Sequence, residues 1–204
     1  MILHVDDDLL VADKPAGLPT VPGRPVELHD CLWTRVQATF PEALVVHRID
    51  MGTSGLVVFA RTPDAQRGLN LAFEQRRVGK TYVALAAGRI AEDEGEIDLP
   101  LIADWPARPR QRVDRVHGKP ALTRWRVLER HAEHTRVELT PLTGRSHQLR
   151  VHLAALGHPL LGDALYAPPA VEALMPRLAL HAHTLAFMHP RAGTPQVFSS
   201  AVPF

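Results

Sequence analysis

Short strand-like runs, separated by turns and irregularly interleaved with three helical segments, constrain the fold of this chain most. Strand-like stretches are expected at Ile2–Val5, Leu9–Ala12, Leu56–Ala60, Lys80–Ala87, Ala121–Glu129, Thr135–Pro141, Leu178–Phe187 and Gln196–Ser199. Helices are expected over His29–Phe40, where Leu32, Val36 and Phe40 recur at helical spacing, and over Thr62–Arg77, where Thr62 is an N-cap followed by Pro63. A third runs from about Ser146 to Leu156 and is closed by Gly157. The regular strand–helix alternation of a doubly wound parallel sheet is missing, so the expected class is α+β. Tyr166 to Pro176 is proline-rich and reads as a surface loop.

Such a fold must be held by its core. Cys31 is the only cysteine, which excludes an internal disulfide and a thiolate metal cluster. Apolar residues make up 46% of 204 positions, enough for one well-packed domain or two small halves around a cleft. No apolar run approaches the roughly 20 residues of a membrane span. The start, Met1 to Val5 followed by Asp6-Asp7-Asp8, lacks the basic and apolar regions of a signal peptide. A cytoplasmic protein with no membrane association is expected.

Net charge is only +1, but its distribution is uneven. Glu92 to Asp98 carries five acids and no base; Arg108 to Arg126 carries seven bases against Asp114 alone. Two solvated surfaces of opposite sign would explain this. Trp105 and Pro106 just precede the basic stretch and Pro109 and Trp125 lie in it, and cations beside aromatics on a stiffened loop suit phosphate contacts and base stacking.

Two constellations carry possible chemistry. In His47-Arg48-Ile49-Asp50-Met51-Gly52-Thr53-Ser54-Gly55, a carboxylate beside Arg48 and a glycine turn can act as nucleophile or base. It can equally cap the turn, as Asp commonly does. In Gly144-Arg145-Ser146-His147-Gln148-Leu149-Arg150-Val151-His152, a helix would place Arg145, Leu149 and His152 on one face. His147 and His152 are five apart, which does not suit two ligands one turn apart. His181 and His183 have a strand spacing that could hold a metal, but no Asp or Glu sits beside them. Tyr82, in Lys80-Thr81-Tyr82, reads first as a cross-strand aromatic. No phosphate-cradling loop and no nucleophile elbow is present.

Taken together, five ordered motifs resemble the RluA family of pseudouridine synthases. These are Asp8-Leu9-Leu10-Val11-Ala12-Asp13-Lys14-Pro15-Ala16-Gly17, His47-Arg48-Ile49-Asp50 with Thr53-Ser54-Gly55, Lys80-Thr81-Tyr82, Gly144 to His152, and Arg177-Leu178-Ala179-Leu180-His181-Ala182. Ile49 replaces a more usual Leu. Leu99-Pro100-Leu101-Ile102-Ala103-Asp104-Trp105-Pro106 with Arg108-Pro109, and Gly157 to Asp163, resemble dual-specificity members. Such members modify a hairpin-loop uridine in 23S ribosomal RNA and one in the transfer RNA anticodon arm.

The resemblance implies a pseudouridine synthase fold: a mixed, largely antiparallel sheet in two α+β halves with a central active-site cleft. Residues 1–204 would form a single catalytic domain without an N-terminal S4-type domain. Asp50, Tyr82 and Arg145 would be catalytic: Asp50 attacking or deprotonating the nucleoside, Arg145 holding it ionised, Tyr82 packing on the uracil. Arg48 would fill the space of the flipped base. Leu180 would line the base pocket, and Arg108, Arg110 and Arg112 would grip the hairpin backbone. No cofactor or metal is implied, the partners are 23S rRNA and tRNA stem-loops, and a monomer needing no protein partner is expected. The rivals are an RNA-hairpin-binding module without catalysis and a His-rich metallohydrolase.

Overall fold

The computed structural model describes residues 2–204, which divide into two compact units. The first comprises residues up to Lys80 and Ala182–Pro203; the second comprises Thr81–His181 with Phe204.

In the first unit, strands β1 (Ile2–Val5), β2 (Leu9–Lys14), β3 (Leu44–Val45) and β4 (Ser54–Ala60) are joined by α1 (Leu32–Gln37) and followed by α2 (Pro63–Glu74). β1 pairs with β2, β2 with β4 and β3 with β4, all antiparallel. Every residue of β4 is buried, which explains why Leu56–Ala60 reads as one continuous apolar run rather than an alternating one. On α2, Ala65 and Leu69 share a face and pack with Leu9, Val11, Val58 and Leu185. The Thr62 hydroxyl accepts from the Ala65 amide, as expected of its cap position.

The first helix is shorter than its periodicity implies. Cys31 is extended (φ −144°) and serves as N-cap, its sulfur accepting from the Thr34 amide at 3.5 Å, so the segment from His29 lies outside the helix.

The second unit is built on β5 (Gly79–Ala87), β6 (Glu94–Asp98), β7 (Leu101–Ala103), β8 (Gln111–Val113), β9 (Leu122–Arg130) and β10 (His134–Pro141), with α3 (Gln148–Ala155) and the short α4 (Pro169–Glu172). The sheet order is β5-β10-β9-β6, antiparallel throughout, and β7-β8 form a separate hairpin. Thr135, Val137 and Leu139 alternate inward along β10. Strands β11 (Leu180–Met188) and β12 (Pro195–Ser199) complete the chain and pair with each other. The architecture is α+β, as the irregular strand runs imply.

Three local expectations are corrected. The acidic stretch contains β6, where Glu96 pairs with Arg124 on β9 at 2.5 Å; Arg126 pairs with Glu138. Two of the seven clustered bases are therefore neutralised within the sheet. The basic stretch is a hairpin arm as much as a loop, since Gln111–Val113 is strand. The proline-rich segment is interrupted by α4, which starts on Pro169, where a missing amide costs nothing.

Candidate active site

Asp50 lies in the first unit, in the turn that joins β3 to β4. Its backbone is pinned on both sides. The Thr20 hydroxyl donates to the Ile49 carbonyl (2.8 Å) and accepts from the Ile49 amide (3.2 Å). On the other side, the Met51 carbonyl accepts from the Gly17 amide at 2.9 Å and from the Lys14 ammonium at 3.1 Å. Lys14 is fully buried and also donates to Leu18 (2.6 Å) and Pro15 (2.9 Å) carbonyls. A buried cation ringed by carbonyls organises the loop that embraces residue 50.

The turn itself closes through the Thr53 amide on the Asp50 carbonyl. Gly55 then takes φ +111°, and a Cβ there would stand 2.3 Å from the Ala182 carbonyl oxygen, so only glycine fits. Upstream, His47 Nε2 accepts from the Val58 amide (3.0 Å) and its ring stacks on Phe73 at 4.6 Å. Loss of hydration, reinforced by the Lys80 ammonium, pushes the His47 pKa down to about 3, so this imidazole is a neutral acceptor at physiological pH. The outcome is a half-buried carboxylate on a rigid turn, a geometry suited to a nucleophile or base. Arg48 beside it is exposed.

The second unit carries Tyr82, Arg145, Leu180 and the hairpin arginines. Tyr82 on β5 faces Leu139 on β10 and packs, half-buried, on the cluster that contains Leu149 and Leu180. Leu180 is 3% exposed, so its side chain belongs to this core as well as to any base-binding wall. Arg145 does not share a helical face with Leu149 and His152, because α3 begins only at Gln148. It sits instead on an exposed turn preceding the helix, where Gln148 Oε1 accepts from the Arg145 amide (3.0 Å) and the Pro120 carbonyl accepts from Arg145 Nε (3.1 Å). Gln148 Oε1 also accepts from Thr143, and Gln148 Nε2 donates to the Leu122 carbonyl, which locks the turn to β9.

The hairpin presents its arginines outward. Arg108 stacks on Trp105 with its guanidinium carbon 3.2 Å from the ring centroid, and Trp105 is 66% exposed. Arg110 lies 5.5 Å from the Tyr166 ring centre, and Arg112 pairs with Asp114 at 3.0 Å.

Residues 8–155 match the family model described as RNA pseudouridylate synthase. The chain belongs to that family. It is 50% identical over 205 aligned residues to the "Dual-specificity RNA pseudouridine synthase RluA" of Yersinia pestis, covering all of both chains. It is equally similar to the protein of that name from Escherichia coli K12, covering all of this chain and 94% of the relative. The Pasteurella multocida counterpart is 52% identical, over 93% of this chain and 87% of its own. Among solved structures, "Human RNA Pseudouridylate Synthase Domain Containing 1" is 31% identical with a TM-score of 0.84, covering all of this chain and 83% of that one.

Against this pseudouridine synthase background, two of the histidines singled out above have their ring nitrogens engaged by the protein. His152 is buried, its nitrogens engaged by Thr123 Oγ1 and the Leu99 carbonyl; His183 Nδ1 bonds the Ser200 carbonyl. Among the described residues, the group with metal-like proximity is Asp6, Asp8 and His189, and there Arg191 already pairs with Asp8 at 2.7 Å. The positioning residues Lys14, Thr20, His47 and Gln148 had no separate signal in the sequence. Lys14, His47 and Gln148 lie inside the motifs, but their role is legible only from hydrogen-bond partners.

Proposed function

We propose that this synthase isomerises uridines in the hairpin loops of two RNA classes, a 23S ribosomal RNA stem-loop and the tRNA anticodon arm. The observation that carries the reading is its full-length similarity, near 50% identity, to synthases described as dual-specificity. Asp50, Tyr82 and Arg145 are its catalytic residues. The Asp50 carboxylate attacks or deprotonates the flipped nucleoside, the C1′–N1 bond breaks, the uracil turns, and a C1′–C5 bond forms. The proton leaves C5 and N1 is protonated, so no group is gained or lost and no cofactor is consumed. Arg145 keeps the carboxylate ionised, Tyr82 packs on the uracil and serves removal of the C5 proton, and Leu180 walls the base.

Arg48 takes the place of the extruded base, whose unstacking costs a few kcal/mol. The exposed Arg108, Arg110 and Arg112 hold the RNA backbone, and the stacked Trp105–Arg108 pair offers a face to an unpaired base. Residues 1–204 work as one catalytic domain, as a monomer in the cytoplasm.

The test is tritium release from C5-labelled anticodon and 23S stem-loop transcripts in EDTA, followed by mapping of the product. Release from both RNAs is expected. Release from one alone would overturn dual specificity, and RNA binding without release would favour the binding-module alternative.

A further inference from the structure

Tyr166 sits where the hairpin that carries the exposed arginines meets the turn that carries Arg145. Its hydroxyl accepts from the backbone amide of Gln111, the first residue of β8, at 2.8 Å. The same oxygen hydrogen-bonds His147 Nδ1 at 2.7 Å. His147 is two residues beyond Arg145 and holds a left-handed backbone (φ +54°), an uncommon state for a residue with a side chain. One oxygen thus ties both segments together. A second tether comes from packing, since Tyr166 lies against the cluster of Leu101, Ala121 and Val151 that joins the hairpin base to α3.

The tyrosine is itself held firmly. Asp163 is fully buried and takes a bidentate pair from Arg150 (2.8 and 2.6 Å). Its Oδ1 also accepts from the Leu165 and Tyr166 amides (3.0 and 3.2 Å), which fixes the backbone that aims the ring. Guanidinium carbons of Arg110 and Arg150 lie 5.5 and 5.0 Å from the ring centre. A buried ion pair with all partners satisfied is a rigid mount.

We propose that Tyr166 is a positioning residue: through Gln111 and His147 it keeps the RNA-gripping hairpin and the Arg145 turn in one fixed register, so that RNA bound by the first presents its uridine correctly to the second. This deepens the proposed function and rests on the roles given there to Arg145 and to the hairpin. Errors in register cost rate more than affinity, because the phosphate contacts survive while alignment at the reacting atoms is lost.

The experiment compares Tyr166→Phe, His147→Ala and His147→Asn with wild type on a C5-tritiated stem-loop, measuring kcat, KM and Tm. Tyr166→Phe keeps the ring and its packing and removes one oxygen. Asn replaces His147 well because its amide places a polar atom near the Nδ1 position and it tolerates the left-handed backbone. The expected result is a fall in kcat of about tenfold or more for Tyr166→Phe and His147→Ala, with KM within about threefold and Tm little changed. His147→Asn should restore most of the rate. Unchanged kcat in Tyr166→Phe, a loss confined to KM, or a loss that follows only the unfolded fraction would overturn the proposal. An inactive wild type would sink the functional reading and this inference together, whereas an active wild type with an equally active Tyr166→Phe would sink this inference alone.

Discussion

At the level of single residues, the backbone around Asp50 is immobilised by hydrogen bonds on both sides. Thr20 makes two hydrogen bonds to Ile49, and Lys14 reaches the Met51 carbonyl, so a flexible glycine-rich turn is held on both sides. Removing the hydroxyl leaves two buried backbone groups without that partner, and Thr20→Val should destabilise the protein by about 1–3 kcal/mol. Denaturant unfolding measures this, and a variant as stable as wild type would show that the clamp is dispensable. Motif position made Asp50 legible in the sequence. The clamp was not legible, because a threonine 29 residues or a lysine 37 residues upstream carries no mark of its hydrogen-bond partner.

Among elements, the connection from β3 to β4 also depends on a histidine that must stay neutral. His47 accepts the Val58 amide, and its pKa is lowered to about 3 from an ordinary 6.5. In the unfolded chain it takes up a proton below pH 6.5, but in the folded chain it does not until about pH 3. Its contribution to stability is therefore complete above about pH 6.5 and is lost as the pH falls toward 3. Denaturation midpoints measured across that window should decline for wild type and decline less steeply for His47→Gln. Equal slopes would contradict the assignment.

The long strands and α2 were legible at this scale because their periodicity and caps agree with their burial. The boundaries of α1 and α3 were not, since Cys31 and His147 adopt backbone conformations that residue type does not announce. The strands β6 and β8 were masked by charge, as their outward residues pair across strands or face solvent.

For the molecule as a whole, charge placement outweighs net charge. A value of +1 conceals a sheet in which acids neutralise Arg124 and Arg126 and a hairpin whose arginines stay exposed. RNA affinity should accordingly depend on salt, with each phosphate contact adding to the slope. Arg108→Ala should reduce the slope of log K against log salt by about one without altering the Asp50 chemistry. A slope identical to wild type would remove Arg108 from the RNA contact.

Asp50→Asn replaces one carboxylate oxygen with an amide nitrogen and removes the charge on which the proposed chemistry depends. Wild type and Asp50→Asn, matched for Tm and for RNA affinity, are incubated in EDTA with C5-tritiated anticodon and 23S stem-loops. Tritium release and pseudouridine are expected in the wild-type reactions, and none above background with Asp50→Asn. Release by Asp50→Asn at a comparable rate would show that another group performs the chemistry.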